Sequence, residues 1–110
     1  MSDIGPDAIG PDAIGLVAIY RWRVAEEHVA AFIERWERAT RRLRGLGGMG
    51  SLLGRAATGE LVAVALWPSA EAREAAFALV ADDGEWPPAE RLEPILVDPI
   101  ANLWADARSA

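Results

Sequence analysis

Cysteine and lysine are both absent from this chain of 110 residues, and histidine occurs only once. Without cysteine the chain has neither a disulfide to stabilise a secreted fold nor a thiolate ligand for zinc. The N-terminus has no basic segment followed by an apolar core and a cleavage site. We therefore expect a cytoplasmic protein, and no pattern of histidine and carboxylate residues predicts a metal site.

Long apolar runs and positive charge are also scarce. No run approaches the roughly 18 consecutive apolar residues typical of a membrane span. The formal net charge is −6 at pH 7, and all eleven basic residues are arginine. Binding to phosphate backbones needs a concentrated positive face, so nucleic acid is not an expected partner. The lack of a long apolar run argues against a membrane. What is present, 52% hydrophobic and 25% charged residues, is typical of one globular domain.

Residues 4–15 read IGPDAIGPDAIG, a five-residue unit written twice and then begun again. Gly-Pro-Asp at this density breaks both helices and strands. We predict a flexible N-terminal arm over residues 1–15, followed by one domain over residues 16–110. The alternative role for the arm is to close over a neighbouring subunit.

The stretch of residues 59–77 contains the clearest change from strand to helix. Residues 61–67 form an unbroken apolar run, typical of a strand buried on both faces. Pro68 cannot continue a central strand, and Ser69 is a preferred helix N-cap. The whole pattern predicts strands over residues 16–24, 51–57, 61–67 and 100–105, helices over 26–44 and about 70–81, and a short helical turn over 86–92.

This order predicts an α+β, ferredoxin-like βαββαβ fold, with a four-stranded antiparallel sheet and both helices on one face. Alternation along the first strand directs Tyr20 and Trp22 towards the helices and Arg21 and Arg23 away from them. Since the third strand is apolar on both faces, the second face of the sheet must also be covered. We therefore predict a homodimer formed through the sheet faces.

Several local features now combine. The first strand ends in YRWRV, Phe32 and Trp36 lie about one turn apart on the long helix, glycines surround Met49, and Leu66-Trp67-Pro68-Ser69 precedes a helix containing Phe77. Together they resemble the antibiotic biosynthesis monooxygenase (ABM) family of dimeric α+β barrels. The resemblance covers residues 16–105.

The resemblance implies a pocket between the sheet and the helices of each subunit. It also implies a cofactor-independent oxygenase or a relative of one, in which the aromatic substrate supplies the electrons to dioxygen. No cofactor is then needed. One branch of the superfamily degrades haem with an asparagine on the first strand and a tryptophan and a histidine on the second helix. None of these residues is present at those places here, so we reject that activity.

Five residues are candidates for binding a small apolar or aromatic substrate. Tyr20 and Trp22 share the helix-facing side of the first strand, and Trp36 on the long helix faces them. Trp86 lies in the proline-rich connection, where it would act as a lid, and Asn102 lies on the predicted last strand. For Tyr20, Trp22 and Trp36 the alternative is core packing, and for Asn102 it is pairing across the dimer.

Other residues are expected to be structural. His28 lies in the first turn of the long helix, off its apolar stripe, so we expect a solvated side chain and not a general base. Trp67 is expected to pack the corner between strand and helix. Arg21 and Arg23 are expected in solvent or in an interface, and holding an anionic substrate is the alternative.

Two hypotheses remain open. The first is an ABM-like protein that binds a small aromatic molecule and oxidises it. The second is a non-catalytic dimeric α+β barrel that serves as a binding or assembly module, which the lack of a clear catalytic polar residue favours. A cavity of several hundred Å³ lined by Tyr20, Trp22 and Trp36 would distinguish them, because in a module without a ligand those side chains fill the space.

Overall fold

The computed structural model describes residues 14–103, so the predicted arm lies outside the described residues except for Ile14 and Gly15. The strands are β1 (Leu16–Arg23), β2 (Ser51–Arg55), β3 (Leu61–Trp67), β4 (Glu90–Arg91) and β5 (Ile95–Val97). The helices are α1 (Val29–Arg44), preceded by a 3-10 turn (Glu26–His28), and α2 (Ala70–Leu79). The four central elements β1, α1, β3 and α2 match the sequence prediction closely.

The sheet is antiparallel throughout, in the order β2-β3-β1-β4, with β5 also paired to β1. Strands β4 and β5 therefore follow the same edge of β1 and act together as the fourth strand. Sheet order and helix placement are those of the ferredoxin-like fold, and the predicted fold class is confirmed.

The predictions for the end of the domain are wrong. Residues 86–92 form no helical turn, because Pro87 and Pro88 disfavour helical geometry in the residues before them. The fourth strand lies at β4 and β5, earlier than the predicted residues 100–105. The chain leaves the sheet after Val97, and residues 100–103 form no strand. Trp104 and Ala105 lie outside the described residues.

A bulge between β4 and β5 explains why the fourth strand was hard to recognise. Ile19 pairs with Ile95 and Trp22 pairs with Arg91. An advance of three residues along β1 is therefore matched by four residues along the edge formed by β4 and β5. Pro94 lies in this extra length. Since proline has no N–H to donate, an edge strand with a bulge is one of the few places in a sheet that accept it.

Two turns depend on glycine. Gly47 and Gly50 follow α1 with φ values of 116° and 108°, and Gly59 has φ 96° in the hairpin between β2 and β3. Residues with a side chain rarely adopt these positive φ angles, whereas glycine does so at little cost. The Ala56 N–H donates to the Glu60 carbonyl at 2.8 Å and closes that hairpin, as the Thr58-Gly59 pair predicts.

The core lies between the inner face of the sheet and the two helices. Trp67 and Phe32 are its largest fully buried side chains. Ala18, Ala63 and Ala76 are also almost completely buried there. Helix α2 begins where predicted, because the Ser69 Oγ accepts a hydrogen bond from the Ala72 N–H at 3.0 Å.

The outer face of the sheet, away from both helices, is apolar and only partly buried. Leu52 is 59% exposed and Ile95 is 45% exposed. Strands β1 and β3 contribute half-buried aliphatic residues to the same face, namely Val17, Ile19, Val62, Val64 and Leu66. We call these seven residues, together with Val97, the outer sheet face. No helix within residues 14–103 has the length and apolarity needed to cross a bilayer.

Candidate ligand cavity

A cavity of about 360 Å³ lies between the inner face of the sheet and the helices. Its walls come from β1, β3, α1, α2, the glycine turn after α1, and the segment that follows α2. The chain has eight aromatic residues, and seven of them line this cavity: Tyr20, Trp22, Phe32, Trp36, Trp67, Phe77 and Trp86. The eighth, Trp104, lies outside the described residues.

The cavity brings together four of the five predicted site residues. Tyr20, Trp22, Trp36 and Trp86 all line it, although they come from three separate parts of the chain. Asn102 does not line it and follows the end of β5 instead. The predicted strand over residues 100–105, on which Asn102 was placed, is not formed by residues 100–103, and a role of Asn102 in binding stays a prediction. Binding of a ligand by the other four residues stays a prediction.

Tyr20 is the best-defined polar group in the wall. Its side chain is 8% exposed, and its hydroxyl oxygen accepts a hydrogen bond from the Arg73 Nε at 2.8 Å. The Arg73 guanidinium also stacks 4.6 Å from the centre of the Phe77 ring. This arrangement fixes the hydroxyl. Because the oxygen already accepts from a cation, the hydroxyl proton remains available to a ligand oxygen.

An aromatic cluster forms one end of the cavity. The Trp22 and Phe32 rings meet edge to face with centres 5.0 Å apart, and the Phe32 and Trp86 centres are 5.3 Å apart. Trp86 lies nearly parallel to Trp22, with 6.5 Å between ring centres. Trp86 is 40% exposed while Phe32 is fully buried, so the cluster runs from the core to the surface. This is the geometry expected for a residue at the mouth of a pocket.

Arg35 is the cavity residue that the sequence analysis missed. It is 7% exposed, and its guanidinium lies 4.6 Å from the centre of the Trp86 ring. Its Nε donates to the Glu85 carbonyl at 3.3 Å, and its Nη2 reaches the carbonyls of Asp83 and Gly84 at 3.4 Å. The helical spacing could have indicated this position, since Arg35 follows Phe32 by about one helical turn and therefore lies on the same face of α1.

The segment after α2 is held to α1 by two arginines. Besides the Arg35 contacts, the Arg42 Nε donates to the Asp83 carboxylate at 2.8 Å. Both contacts precede Trp86 in the chain, and together they hold its indole over the aromatic cluster. The position of Trp86 therefore depends on charged residues of α1 and not on Pro87 and Pro88 alone.

Trp67 packs the corner between β3 and α2, as predicted. It is 2% exposed and meets Phe77 edge to face with ring centres 5.8 Å apart. Its indole N–H has no hydrogen-bond partner among the described residues, although Trp67 lines the cavity. A buried donor without a partner costs about 1–3 kcal/mol.

The first-strand arginines lie outside the cavity and have partners within the chain. Arg23 makes an ion pair with Glu90 at 3.1 Å, and the Arg21 Nη2 donates to the Glu93 carbonyl at 3.2 Å. Both contacts tie β1 to the irregular fourth strand. Neither arginine can hold a substrate in this cavity.

His28 also lies outside the cavity, in the 3-10 turn before α1. We expect His28→Ala to leave ligand affinity and any turnover within about twofold of the wild type, because surface substitutions distant from a site usually change little. Titration of both proteins with an aromatic ligand measures this. A hundredfold loss would show that the imidazole takes part in the chemistry.

No group of three or more histidine, cysteine, aspartate or glutamate side chains within residues 14–103 is arranged to hold a metal ion. The ionisable residues that line the cavity are Tyr20, Arg35, Arg44, Asp83 and Arg91. The arrangement offers an apolar, aromatic interior with a tyrosine hydroxyl and several guanidinium groups. It is suited to a flat, largely apolar molecule that carries oxygen substituents.

Comparison with known proteins identifies similar folds. No family model matches the chain, and no curated protein matches it significantly. Rv0793 from Mycobacterium tuberculosis is 18% identical, with a TM-score of 0.61, and the match covers 80% of this chain and 97% of that one. A mutant of SnoaB, a cofactor-independent oxygenase from Streptomyces nogalater, is 19% identical, with a TM-score of 0.62, and the match covers 83% and 98%.

A third solved structure, MupZ from Pseudomonas fluorescens, is 10% identical, with a TM-score of 0.61, and the match covers 91% of this chain and 76% of that one. Identities this low establish similarity of fold and not of activity. The chain has the α+β fold that its resemblance to the ABM family implies.

Proposed function

We propose that this protein binds a small aromatic molecule in the cavity between its sheet and its helices. The observation that carries the proposal is the free volume of about 360 Å³ inside a wall of seven aromatic residues. Ligand sites in proteins typically measure about 300–1,000 Å³ and are largely apolar. If the aromatic residues served only to pack the core, they would fill this space.

We further propose that the bound molecule is oxidised without a cofactor. The similarity to SnoaB, itself a cofactor-independent oxygenase, supports this chemistry. In such a reaction the substrate loses a proton from carbon, and the resulting enolate gives electrons to dioxygen. For an anthrone, one oxygen atom becomes the new carbonyl and the other leaves as water, so anthrone and dioxygen give anthraquinone and water. The substrate is oxidised and dioxygen is reduced.

Tyr20 is the residue suited to stabilise the enolate. Its hydroxyl is held by Arg73, so the remaining proton can be donated to an oxygen on the substrate ring. Donors fixed in advance towards a developing negative charge act most strongly where water is excluded. A ring bound between the apolar walls formed by Trp22 and Phe32 would displace water from this part of the cavity.

The test is oxygen consumption with a panel of anthrones and hydroquinones. We expect Tyr20→Phe to lower kcat/KM by about 10²–10³-fold, the effect typical of removing one such donor. The Kd for the same ligands should change much less, because the ring that packs in the wall is retained. His28→Ala is the matched control, and oxygen uptake at the wild-type rate by Tyr20→Phe would contradict the role of the hydroxyl.

A non-catalytic binding module is the second candidate, and one observation favours it. Within residues 14–103 the cavity wall contains no histidine or glutamate, and the one carboxylate they contribute, Asp83, is already paired with Arg42. No residue in the wall is therefore an obvious base for removing a proton from carbon. Ligand binding with no oxygen uptake by any member of the panel would identify the protein as a module of this kind.

We also propose that the protein forms a homodimer through its outer sheet face. That face presents eight aliphatic residues from four strands, several of them exposed, such as Leu52 and Ile95. Apolar surface of this extent costs free energy in water, and a second copy can cover it by pairing face to face. The cavity, on the other side of the sheet, remains open to ligand in such a dimer.

A further inference from the structure

Arg35 carries a buried positive charge for which residues 14–103 supply no carboxylate within 4.0 Å. The side chain is 7% exposed, and its hydrogen-bond partners are three backbone carbonyls. Carbonyl dipoles offset part of the cost of burying the charge, but they do not neutralise it. Because a buried charge is usually paired, Arg35 is an exception that calls for an explanation.

The donors of Arg35 divide into two sets. A guanidinium has five N–H donors. One of them, on Nε, and the two on Nη2 serve the carbonyls of residues 83–85. The two donors on Nη1 have no hydrogen-bond partner among the described residues. Holding the segment that carries Trp86 therefore uses only one edge of the group and leaves the other edge available.

The other charged residues that line the cavity are mostly positive. Arg44 and Arg91 also line the cavity, while Asp83, the one carboxylate that the described part of the chain places there, is paired with Arg42 at 2.8 Å. The chain as a whole has a net charge of −6, yet the cavity wall has an excess of positive charge. Arg44 and Arg91 are exposed, so solvent screens their charges, and Arg35 is the buried cation of the wall.

We propose that the cavity takes an aromatic molecule bearing an anionic oxygen substituent, a carboxylate or a phenolate, and that the Arg35 Nη1 donates hydrogen bonds to that oxygen. This inference rests on the proposed binding of an aromatic molecule and specifies its charge. The ring occupies the aromatic cluster, and the anionic group lies against Arg35. Hydrogen bonds from a charged donor to a charged acceptor are shorter and roughly twice as strong as those between neutral groups.

A matched pair of ligands tests the proposal on the wild-type protein. 2-Naphthoate is anionic at pH 7, and 2-naphthalenemethanol is a neutral molecule of nearly the same size and shape. Isothermal titration calorimetry measures Kd for each. We expect naphthoate to bind at least about tenfold more tightly, since hydrogen bonds to charged groups are the stronger ones. Equal affinities would overturn the inference while leaving the binding of aromatic molecules intact.

Substitution of Arg35 assigns the preference to one residue. Arg35→Met should bring the ratio of the two Kd values from about tenfold or more to about one. Arg35 also holds the segment that carries Trp86, so both ligands should lose affinity, and the ratio of the two Kd values is the readout. Arg38→Met is the matched control, because it removes the same charge from the same helix. Arg38 is exposed and does not line the cavity. A preference that survives Arg35→Met unchanged would overturn the assignment.

A second measurement needs no variant and remains decisive if Arg35→Met fails to fold. 2-Naphthol changes absorbance when it ionises, so the pKa of the bound molecule can be read directly. A tenfold preference for the phenolate corresponds to a decrease of one unit in that pKa. An unchanged or raised pKa of bound 2-naphthol would contradict the proposal. Failure of all three ligands to bind would overturn the proposed function as well.

Discussion

Replacing Trp67 with alanine is expected to lower the free energy of unfolding by about 3–5 kcal/mol, the usual range for removing a fully buried aromatic side chain. Trp67 is 2% exposed and joins the end of β3 to α2 through Phe77. The residue also terminates the strand that pairs with both β1 and β2. Urea denaturation followed by far-UV circular dichroism measures the loss.

Trp86→Ala is the matched comparison. Trp86 is 40% exposed, so its removal should cost far less stability than the removal of Trp67. It should instead weaken the binding of an aromatic ligand, because Trp86 forms the outer part of the aromatic cluster. Equal losses of stability in the two variants would contradict the separation between a structural tryptophan and a ligand-binding one.

Val64→Arg is expected to convert the proposed homodimer into a folded monomer. Val64 lies at the centre of the outer sheet face, paired with Ile19 on one side and Leu52 on the other. A guanidinium buried without a partner at the centre of an interface costs several kcal/mol, which raises the dissociation constant at least about a hundredfold. In an isolated subunit the same side chain would extend into water, so the fold should survive.

Sedimentation velocity at micromolar concentration distinguishes the two masses. Ala31→Arg, on an exposed position of α1, is the matched control and should remain dimeric. A wild-type protein that sediments as a monomer, or a Val64→Arg variant that remains a dimer, would contradict the proposed interface. Circular dichroism of the variant shows that any change of mass is not a loss of fold.

Local pattern was sufficient for most of the fold. Strand β3 was predicted at its observed bounds because an apolar run followed by Pro68 and Ser69 leaves few alternatives. Helix α1 was recognised from its apolar stripe and from the arginines in its last turn. Each of these elements is specified by residues within a few positions of one another, so it can be predicted from the sequence.

The fourth strand shows where local pattern fails. Strands β4 and β5 contain two and three residues, separated by a bulge that accommodates Pro94. Pieces this short carry no usable periodicity, and four nearby prolines, at positions 87, 88, 94 and 99, suggest a loop. Their strand geometry comes from pairing with β1, about 70 residues earlier in the chain. Because of this error Asn102 was assigned to a strand, whereas it lies beyond the end of β5.

The sequence by itself determined the order of the main elements, the face on which Tyr20 and Trp22 lie, and the aromatic character of the space they share. Only the tertiary structure decided that this space is a cavity and that Arg35 is buried in its wall. The reason is physical. Periodicity fixes the direction of a side chain relative to its own helix or strand, whereas free volume and an unpaired charge depend on segments distant in sequence, here residues 83–86 folding back onto α1.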